Sequence, residues 1–187
     1  MLKKIIALLL LLAPVAAFAL YKPARVLAPE LFADVHCIDD QICIEEPSRL
    51  DEARALYDAN LRFVADTVGS FQQSPRVIFC SSKDCQTAFG FDKAAATTGG
   101  KSGIVVGPRG WKPHYLRHEM IHHRQAEELG ILAAFTKPEW LVEGMAYALS
   151  DDPRTTLADR WEEARQRFLK WYEVVGRDRL WSAAKAL

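Results

Sequence analysis

The sequence predicts an α+β fold that is mostly helical and carries a small sheet. In four segments, apolar residues recur at three- and four-residue steps, the spacing of one helix face. Two short runs, residues 75–80 and 102–106, are rich in β-branched and aromatic residues and predict strands. Half of the 187 residues are hydrophobic, which is enough to form the core of a single domain.

The N-terminus has the pattern of an export signal. A basic start at residues 1–4 is followed by an unbroken apolar run, then Pro14 and the small-residue sequence Ala17-Phe18-Ala19. This pattern predicts a signal peptide, residues 1–19, cleaved from a single domain of residues 20–187. The alternative is an uncleaved membrane anchor, because Ile5 to Tyr21 is seventeen residues without a charge. Both interpretations place the domain outside the cytoplasm, in the periplasm or secreted.

Four cysteines agree with export. Cys37 and Cys43 are six residues apart, and Cys80 and Cys85 are five apart. In an oxidising compartment they are expected to form disulfides, and pairing between neighbours is the simplest of three connectivities. The alternative, a zinc site of four cysteines, has less support because both spacings are wider than is usual for such sites.

The first half of the domain alternates helix and strand. Ser48 is predicted to cap a long helix that runs to about Ser70 and forms part of the core. The strand at 75–80 follows, then a short helix from Asp84 to Phe91. Thr97 to Lys101 is predicted as a turn because it contains two adjacent glycines. The strand at 102–106 completes this half.

Three helices are predicted in the second half. Pro113 suits a first helical turn and Gly130 suits a stop, so one helix lies between them. A second begins near Glu139, and a third is capped by Thr155 or Thr156.

The sequence His118-Glu119-Met120-Ile121-His122 is the strongest functional signal in the chain. Two histidines four residues apart lie on one face of a helix, about one turn from each other. Both imidazoles can then reach one zinc ion at about 2.0–2.1 Å. Glu119 follows the first histidine, where its carboxylate can reach a water molecule at the metal.

A third ligand is expected from the next helix. Glu143 lies twenty-one residues after His122, in an otherwise apolar run. An unpaired carboxylate would be costly to bury there, and a zinc ion would supply the compensating charge. Two imidazoles and one carboxylate leave a fourth position for water, which is typical of a catalytic zinc site.

The segments HEMIH and EWLVEGMA resemble the active-site segments of gluzincin-type zinc metallopeptidases, and the resemblance covers mainly residues 102–150. It implies a zincin-like fold and one Zn²⁺ ion bound by His118, His122 and Glu143, with Glu119 as general base. In zincin-like folds the strand before this helix is a sheet edge. By resemblance, Gly103 to Gly107 is therefore the expected edge for a peptide or protein substrate, and an ordinary buried strand is the alternative.

The chain departs from two related patterns. Gln125 and Glu128 stand where the metzincin pattern requires glycine and histidine. Val142 stands where thermolysin-like enzymes carry an asparagine before the ligand glutamate. Residues that support the ligands from outside are therefore not identified by the sequence.

Three further residues, His114, Tyr115 and Tyr147, are candidates for stabilising an oxyanion. Tyr147 lies four residues after Glu143 on the same helix face, and its hydroxyl can donate a hydrogen bond. His114 lies one turn before His118, but about 12 Å along the helix from His122, so it cannot share their zinc ion. For each, a packing role is the alternative.

These features predict an exported zinc metallopeptidase. A non-catalytic, zinc-stabilised periplasmic binding or assembly factor, and an amidase acting on cell-wall peptides, are the alternatives. Twenty-four basic and twenty-four acidic residues give a net charge of zero, so nucleic-acid binding has no electrostatic support. Membrane attachment is expected only if the N-terminal segment is retained.

Overall fold

The computed structural model describes residues 22–187. The predicted signal peptide or anchor, residues 1–19, lies outside this range. Within residues 22–187, no helix has both the length and the apolar character needed to cross a membrane.

The described chain is α+β, as predicted. Its α-helices are α1 (Leu50–Val68), α2 (Lys83–Ala88), α3 (Pro113–Leu129), α4 (Ala133–Thr136), α5 (Glu139–Leu149), α6 (Asp159–Val175) and α7 (Leu180–Ala186). Its strands are β1 (His36–Cys37), β2 (Ile42–Ile44), β3 (Val77–Phe79), β4 (Ala96–Thr98) and β5 (Ile104–Val106). Short 3₁₀ turns occupy Lys22–Leu27, Pro29–Leu31, Pro47–Arg49 and Arg177–Arg179.

The five strands form one mixed sheet in the order β1-β2-β3-β5-β4. The three central strands, β2, β3 and β5, are parallel, and β1 and β4 pair antiparallel at the two edges. The sequence did not predict β4. Residues 97–101 were expected to form a turn, whereas Ala96–Thr98 is a strand and the turn lies at the glycines after it.

The prediction of a substrate edge at Gly103–Gly107 is wrong. β5 pairs with β3 on one side and with β4 on the other, and its three residues are 0% exposed. Both rows of its backbone hydrogen-bonding groups therefore face neighbouring strands, and a peptide has no free edge to join there. Nor does the edge strand directly precede α3 in the chain, because β4 is the edge and β5 follows it.

Alternate residues of the central strands build two cores. One face of the sheet, which includes Ile44, Phe79 and Val106, packs against the long helices. The opposite face, which includes Ile78 and Val105, is covered by the N-terminal turns and by α2. Continuous apolar runs in β3 and β5 are therefore explained by burial on both faces.

Both predicted disulfides are present in the structure. Cys37–Cys43 joins β1 to β2, and Cys80–Cys85 joins the end of β3 to α2. All four cysteines are used, so the alternative of a four-cysteine zinc site is excluded. The two bridges are compatible with a location outside the cytoplasm.

Helix ends agree with the sequence only in part. α3 begins at Pro113 and ends before Gly130, as predicted. The other caps were wrong: Arg49, not Ser48, precedes α1, and Ala158, not a threonine, precedes α6. Ser48 lies inside a 3₁₀ turn and donates to Glu46 instead, because the preceding proline starts that turn one step earlier.

α5 and α6 pack closely at Gly144. A Cβ atom at this position would lie within 2.9 Å of the Cβ atom of Phe168 and would meet the backbone carbonyl of Ala164. Only a residue without a side chain allows this approach. Gly144 directly follows Glu143, so the helix contact also fixes the position of that carboxylate.

Gly144→Ala should lower the free energy of unfolding by about 2 kcal/mol, because the added methyl group forces the two helices apart. Chemical denaturation monitored by circular dichroism measures the change. Without the contact, alanine would stabilise a helix by about 1 kcal/mol over glycine. An increase in stability would therefore contradict the packing described.

Candidate metal centre

Three ligand atoms from two helices converge on one point. His118 and His122 lie one turn apart on α3, and their Nε2 atoms are 3.0 Å from each other. Glu143 reaches the same point from α5. One of its carboxylate oxygens is 3.5 Å from His118 Nε2 and the other is 3.6 Å from His122 Nε2.

This spacing fits a tetrahedral zinc ion. Two ligands at about 2.05 Å from zinc, separated by the tetrahedral angle, lie about 3.3 Å apart. The separation of 3.0 Å between the two imidazole nitrogens, and those of 3.5 and 3.6 Å from each nitrogen to a different oxygen of Glu143, bracket that value. The donor set of two imidazole nitrogens and one carboxylate is also a set that zinc prefers. Within residues 22–187, one other group of three potential ligands lies close together, Glu45 with Cys80 and Cys85. Its two cysteines form a disulfide and therefore cannot bind a metal ion as thiolates.

Gln125 fixes which nitrogen of His122 faces the metal position. Its amide NH₂ donates to the carbonyl oxygen of Val142 at 2.8 Å, and a carbonyl can only accept. Its Oε1 atom must therefore face His122 Nδ1, which is 2.8 Å away and donates to it. The neutral His122 ring then carries its lone pair on Nε2, as a metal ligand requires.

The same side chain joins the two ligand helices. Gln125 is 2% exposed and lies on α3, whereas Val142 immediately precedes Glu143 on α5. One amide group thus orients the imidazole of one candidate ligand and holds the backbone beside the carboxylate of another.

The electrostatics of the metal-free cluster favour a bound cation. Burial lowers the pKa of His122, but the nearby carboxylate of Glu143 outweighs this effect and raises it to about 9. Burial raises the pKa of Glu143, but hydrogen bonding to and the charge of the two histidines hold it well below its usual range. A positive charge on the imidazole therefore stabilises the carboxylate of Glu143, and a cation bound at the same point would stabilise it in the same way.

Glu119 and Tyr147 lie on the open side of the cluster. Both line the same two cavities as His118, and the Tyr147 ring contacts the His118 ring edge-on at 4.5 Å. Burial, with the charge of Glu143, raises the pKa of Tyr147 to about 12, so its hydroxyl keeps its proton at neutral pH. Tyr147 is thus available as a hydrogen-bond donor.

His114 faces the smaller cavity, apart from the three ligand atoms. Its ring packs on Tyr115 at 4.2 Å, and burial lowers its pKa against the opposing charge of Asp152. His123, which directly follows His122 on the helix, points elsewhere. It is 2% exposed, and its ring nitrogens lie 3.1 Å from the carbonyl oxygens of Gly100 and Gln73.

Two cavities meet at the cluster. The smaller has a volume of about 270 Å³ and is lined by polar side chains, including Arg109, Asp152 and Arg154. The larger, about 560 Å³, is lined by apolar side chains, including Ile131, Phe135 and Trp161. β4 and its flanking residues run past both, with 94–96 at the smaller cavity and 97–100 at the larger.

Sequence reasoning missed several of these residues. Gln125 lies three positions after His122, so helical spacing alone was a signal for their contact. Asp152 and Arg154 follow α5 in a loop, and only the folded chain brings them to the cluster.

Comparisons of this chain with protein-family models, with curated proteins and with solved structures find no match. The function must therefore be inferred from the site itself.

Replacing Gln125 with methionine removes both hydrogen bonds while keeping the volume. We expect Gln125→Met to weaken zinc binding about 10- to 100-fold, because the imidazole loses the acceptor that orients it. Competition with a chromogenic chelator measures the affinity. Gln166→Met, an exposed change on α6, is the matched control and should leave affinity unchanged. Equal affinity of the two variants would contradict this role.

Because of the His122–Glu143 pair, the free energy of unfolding of the chain in EDTA should depend on pH. The raised pKa of His122 stabilises the fold fully below pH 6.5, its ordinary value, and this contribution is lost as the pH rises through about 9. The lowered pKa of Glu143 adds stability that is present above 4.5 and lost in acid. We therefore expect unfolding free energy with EDTA to fall between pH 6 and 9.5, by on the order of 3 kcal/mol.

Urea denaturation at a series of pH values measures this effect. The control is Glu143→Gln, which removes the carboxylate and should flatten the profile across the same interval. A wild-type profile that matches the variant would show that the pair contributes no stability.

Proposed function

We propose that this chain is an exported zinc-dependent peptidase of gluzincin type with a zincin-like fold. The observation that carries the proposal is the convergence of His118, His122 and Glu143 at zinc-ligand spacing, with Glu119 beside them on the open side. A purely structural zinc site requires no carboxylate in that position, whereas a hydrolytic site requires a base. The coordination geometry and the base together favour catalysis over a stabilising role.

The residues divide the chemistry between them. Zinc held by His118, His122 and Glu143 would act as a Lewis acid on water and on the scissile carbonyl. Glu119 accepts the proton of the attacking water and transfers it to the leaving amine. The Tyr147 hydroxyl donates to the developing oxyanion, and His114 supplies a second donor from the adjoining cavity.

The free edge of β4 is the proposed substrate-binding strand. Gly107 N donates to Ala95 O at 2.9 Å, and Gly99 N donates to Gly103 O at 2.8 Å, so residues 95 and 99 face β5. Because antiparallel pairing alternates, the backbone groups of Ala96 and Thr98 point away from β5. Ala96 is 4% exposed, whereas Thr98 is half-buried, so an extended peptide can bind to the backbone of Thr98 and lie across the metal centre, along both cavities.

Location and attachment follow from the same interpretation. The two disulfides support action in an oxidising, extracytoplasmic compartment, periplasmic or outside the cell. Attachment to a membrane through the N-terminal segment stays a prediction from the sequence.

Glu119→Gln should keep the zinc and lose hydrolysis by about 10²- to 10⁴-fold, because the amide cannot accept a proton. His122→Ala and Glu143→Ala should lose the zinc itself, because each removes one of three ligands. Metal content by inductively coupled plasma mass spectrometry, and peptide-library cleavage by mass spectrometry, separate these two effects.

Glu163→Gln, an exposed substitution on α6, is the matched control and should change neither measurement. Full zinc occupancy in His122→Ala or in Glu143→Ala would contradict the ligand assignment. Zinc-loaded wild type that cleaves no peptide would instead favour a non-catalytic zinc-stabilised factor.

A further inference from the structure

We propose that the smaller cavity binds a carboxylate group of the substrate, on one side of the scissile bond. This inference rests on the proposed peptidase function and specifies which peptides the cleft selects. The cavity adjoins His118 and Glu119 and is lined by Arg109 and Arg154.

The guanidinium of Arg154 is held in one orientation by Asp152. Its Nε atom donates to both oxygens of Asp152, at 2.9 and 3.0 Å, and its Nη2 atom donates to the same carboxylate. Its guanidinium carbon lies 5.5 Å from the centre of the Tyr115 ring and 5.8 Å from that of Tyr147. The guanidinium therefore loses little freedom when it binds a ligand.

One edge of that guanidinium is left for a ligand. Among residues 22–187, no side chain or carbonyl accepts from Arg154 Nη1. The side chain of Asp152 is only 2% exposed, whereas that of Arg154 is 41% exposed. A ligand can therefore reach the guanidinium but not the carboxylate that pairs with it. A planar cation with a free N–H edge is suited to a carboxylate.

Arg109 supplies the second guanidinium of the cavity. The formal charges of the lining balance, because Asp152 pairs with Arg154 and Glu119 also lines the cavity, but no carboxylate within residues 22–187 forms an ion pair with Arg109. Its Nη2 atom donates to the carbonyl oxygen of Lys93 at 2.7 Å, which anchors one end of the group and leaves the rest of it without a carboxylate partner. The imidazole of His114 adds a donor on the same lining.

The two cavities thus differ in chemistry along one strand. The smaller, about 270 Å³, offers two guanidinium groups, and the larger, about 560 Å³, offers apolar walls. A peptide lying along β4 would place successive residues about 3.3 Å apart, so both cavities lie within reach of residues flanking one bond. The preferred substrate has an acidic group on the side of residues 94–96.

Two parts of a peptide can supply this carboxylate: an aspartate or glutamate side chain, or the C-terminal α-carboxylate. A peptide library in four arms distinguishes them. The arms combine acidic residues or their amides, Asn and Gln, with a free or an amidated C-terminus. Zinc-loaded wild type should cleave at least one carboxylate-bearing arm about tenfold faster than the fully amidated arm, with the carboxylate at a fixed distance from the cleaved bond.

Arg154→Gln and Arg109→Gln should each abolish most of this preference, whereas Arg154→Lys should retain part of it because the charge stays. Arg177→Gln, an exposed change after α6 that lines neither cavity, is the control and should keep the full preference. Equal cleavage of all arms by wild type would overturn the proposal and leave the peptidase function intact. An undiminished preference in both glutamine variants would do the same.

A binding measurement keeps the two proposals separate. Fluorescence-polarisation competition on zinc-loaded Glu119→Gln compares the acidic and amidated libraries without turnover. About tenfold tighter binding of an acidic arm, lost on adding Arg154→Gln, supports the carboxylate site even if wild type cleaves nothing. Equal binding of all four arms overturns it.

Discussion

The structure depends on the contact between α3 and α5, where the side chains of His118, His122 and Glu143 lie close together. Two imidazoles and a carboxylate within 3.0–3.6 Å form a costly arrangement unless a proton or a cation lies among them. Local backbone preferences alone do not hold Glu143 in place. Its position follows from the Gln125 bridge on one side and from the tight approach of α6 at Gly144 on the other.

The helices that form this contact pack on one face of the sheet. Its central strands are covered on one face by the helices and on the other by the N-terminal turns, α2 and the disulfides. Such two-sided burial makes the sheet a rigid platform. β4, one of the two edge strands, also lies against α3 and lines both cavities.

Features that depend on residues close together in the chain could be predicted from the sequence. His118, Glu119 and His122 share a helix whose limits, Pro113 and Gly130, are themselves sequence signals, and the short cysteine spacings favoured the pairing that is observed. β5 is internal because it pairs with β3, which is distant in the chain, and with β4, whose Thr-Thr-Gly-Gly segment has the composition of a turn. The Asp152–Arg154 pair is local, two residues apart, but its place at the smaller cavity depends on how the loop after α5 folds back.

The hydrogen-bonded ring of His123 has a mechanical consequence for the cleft. Its two nitrogens lie 3.1 Å from carbonyl oxygens of the turn after β4 and of the loop before β3. Burial lowers the pKa of His123 against the charge of Glu127, so the neutral ring donates to one carbonyl and packs against the other. The ring thereby ties these two segments to α3. Ile131 and Phe135 line the larger cavity and are 68% and 86% exposed. A change in the width of that cavity therefore falls on these two side chains rather than on the turn after β4.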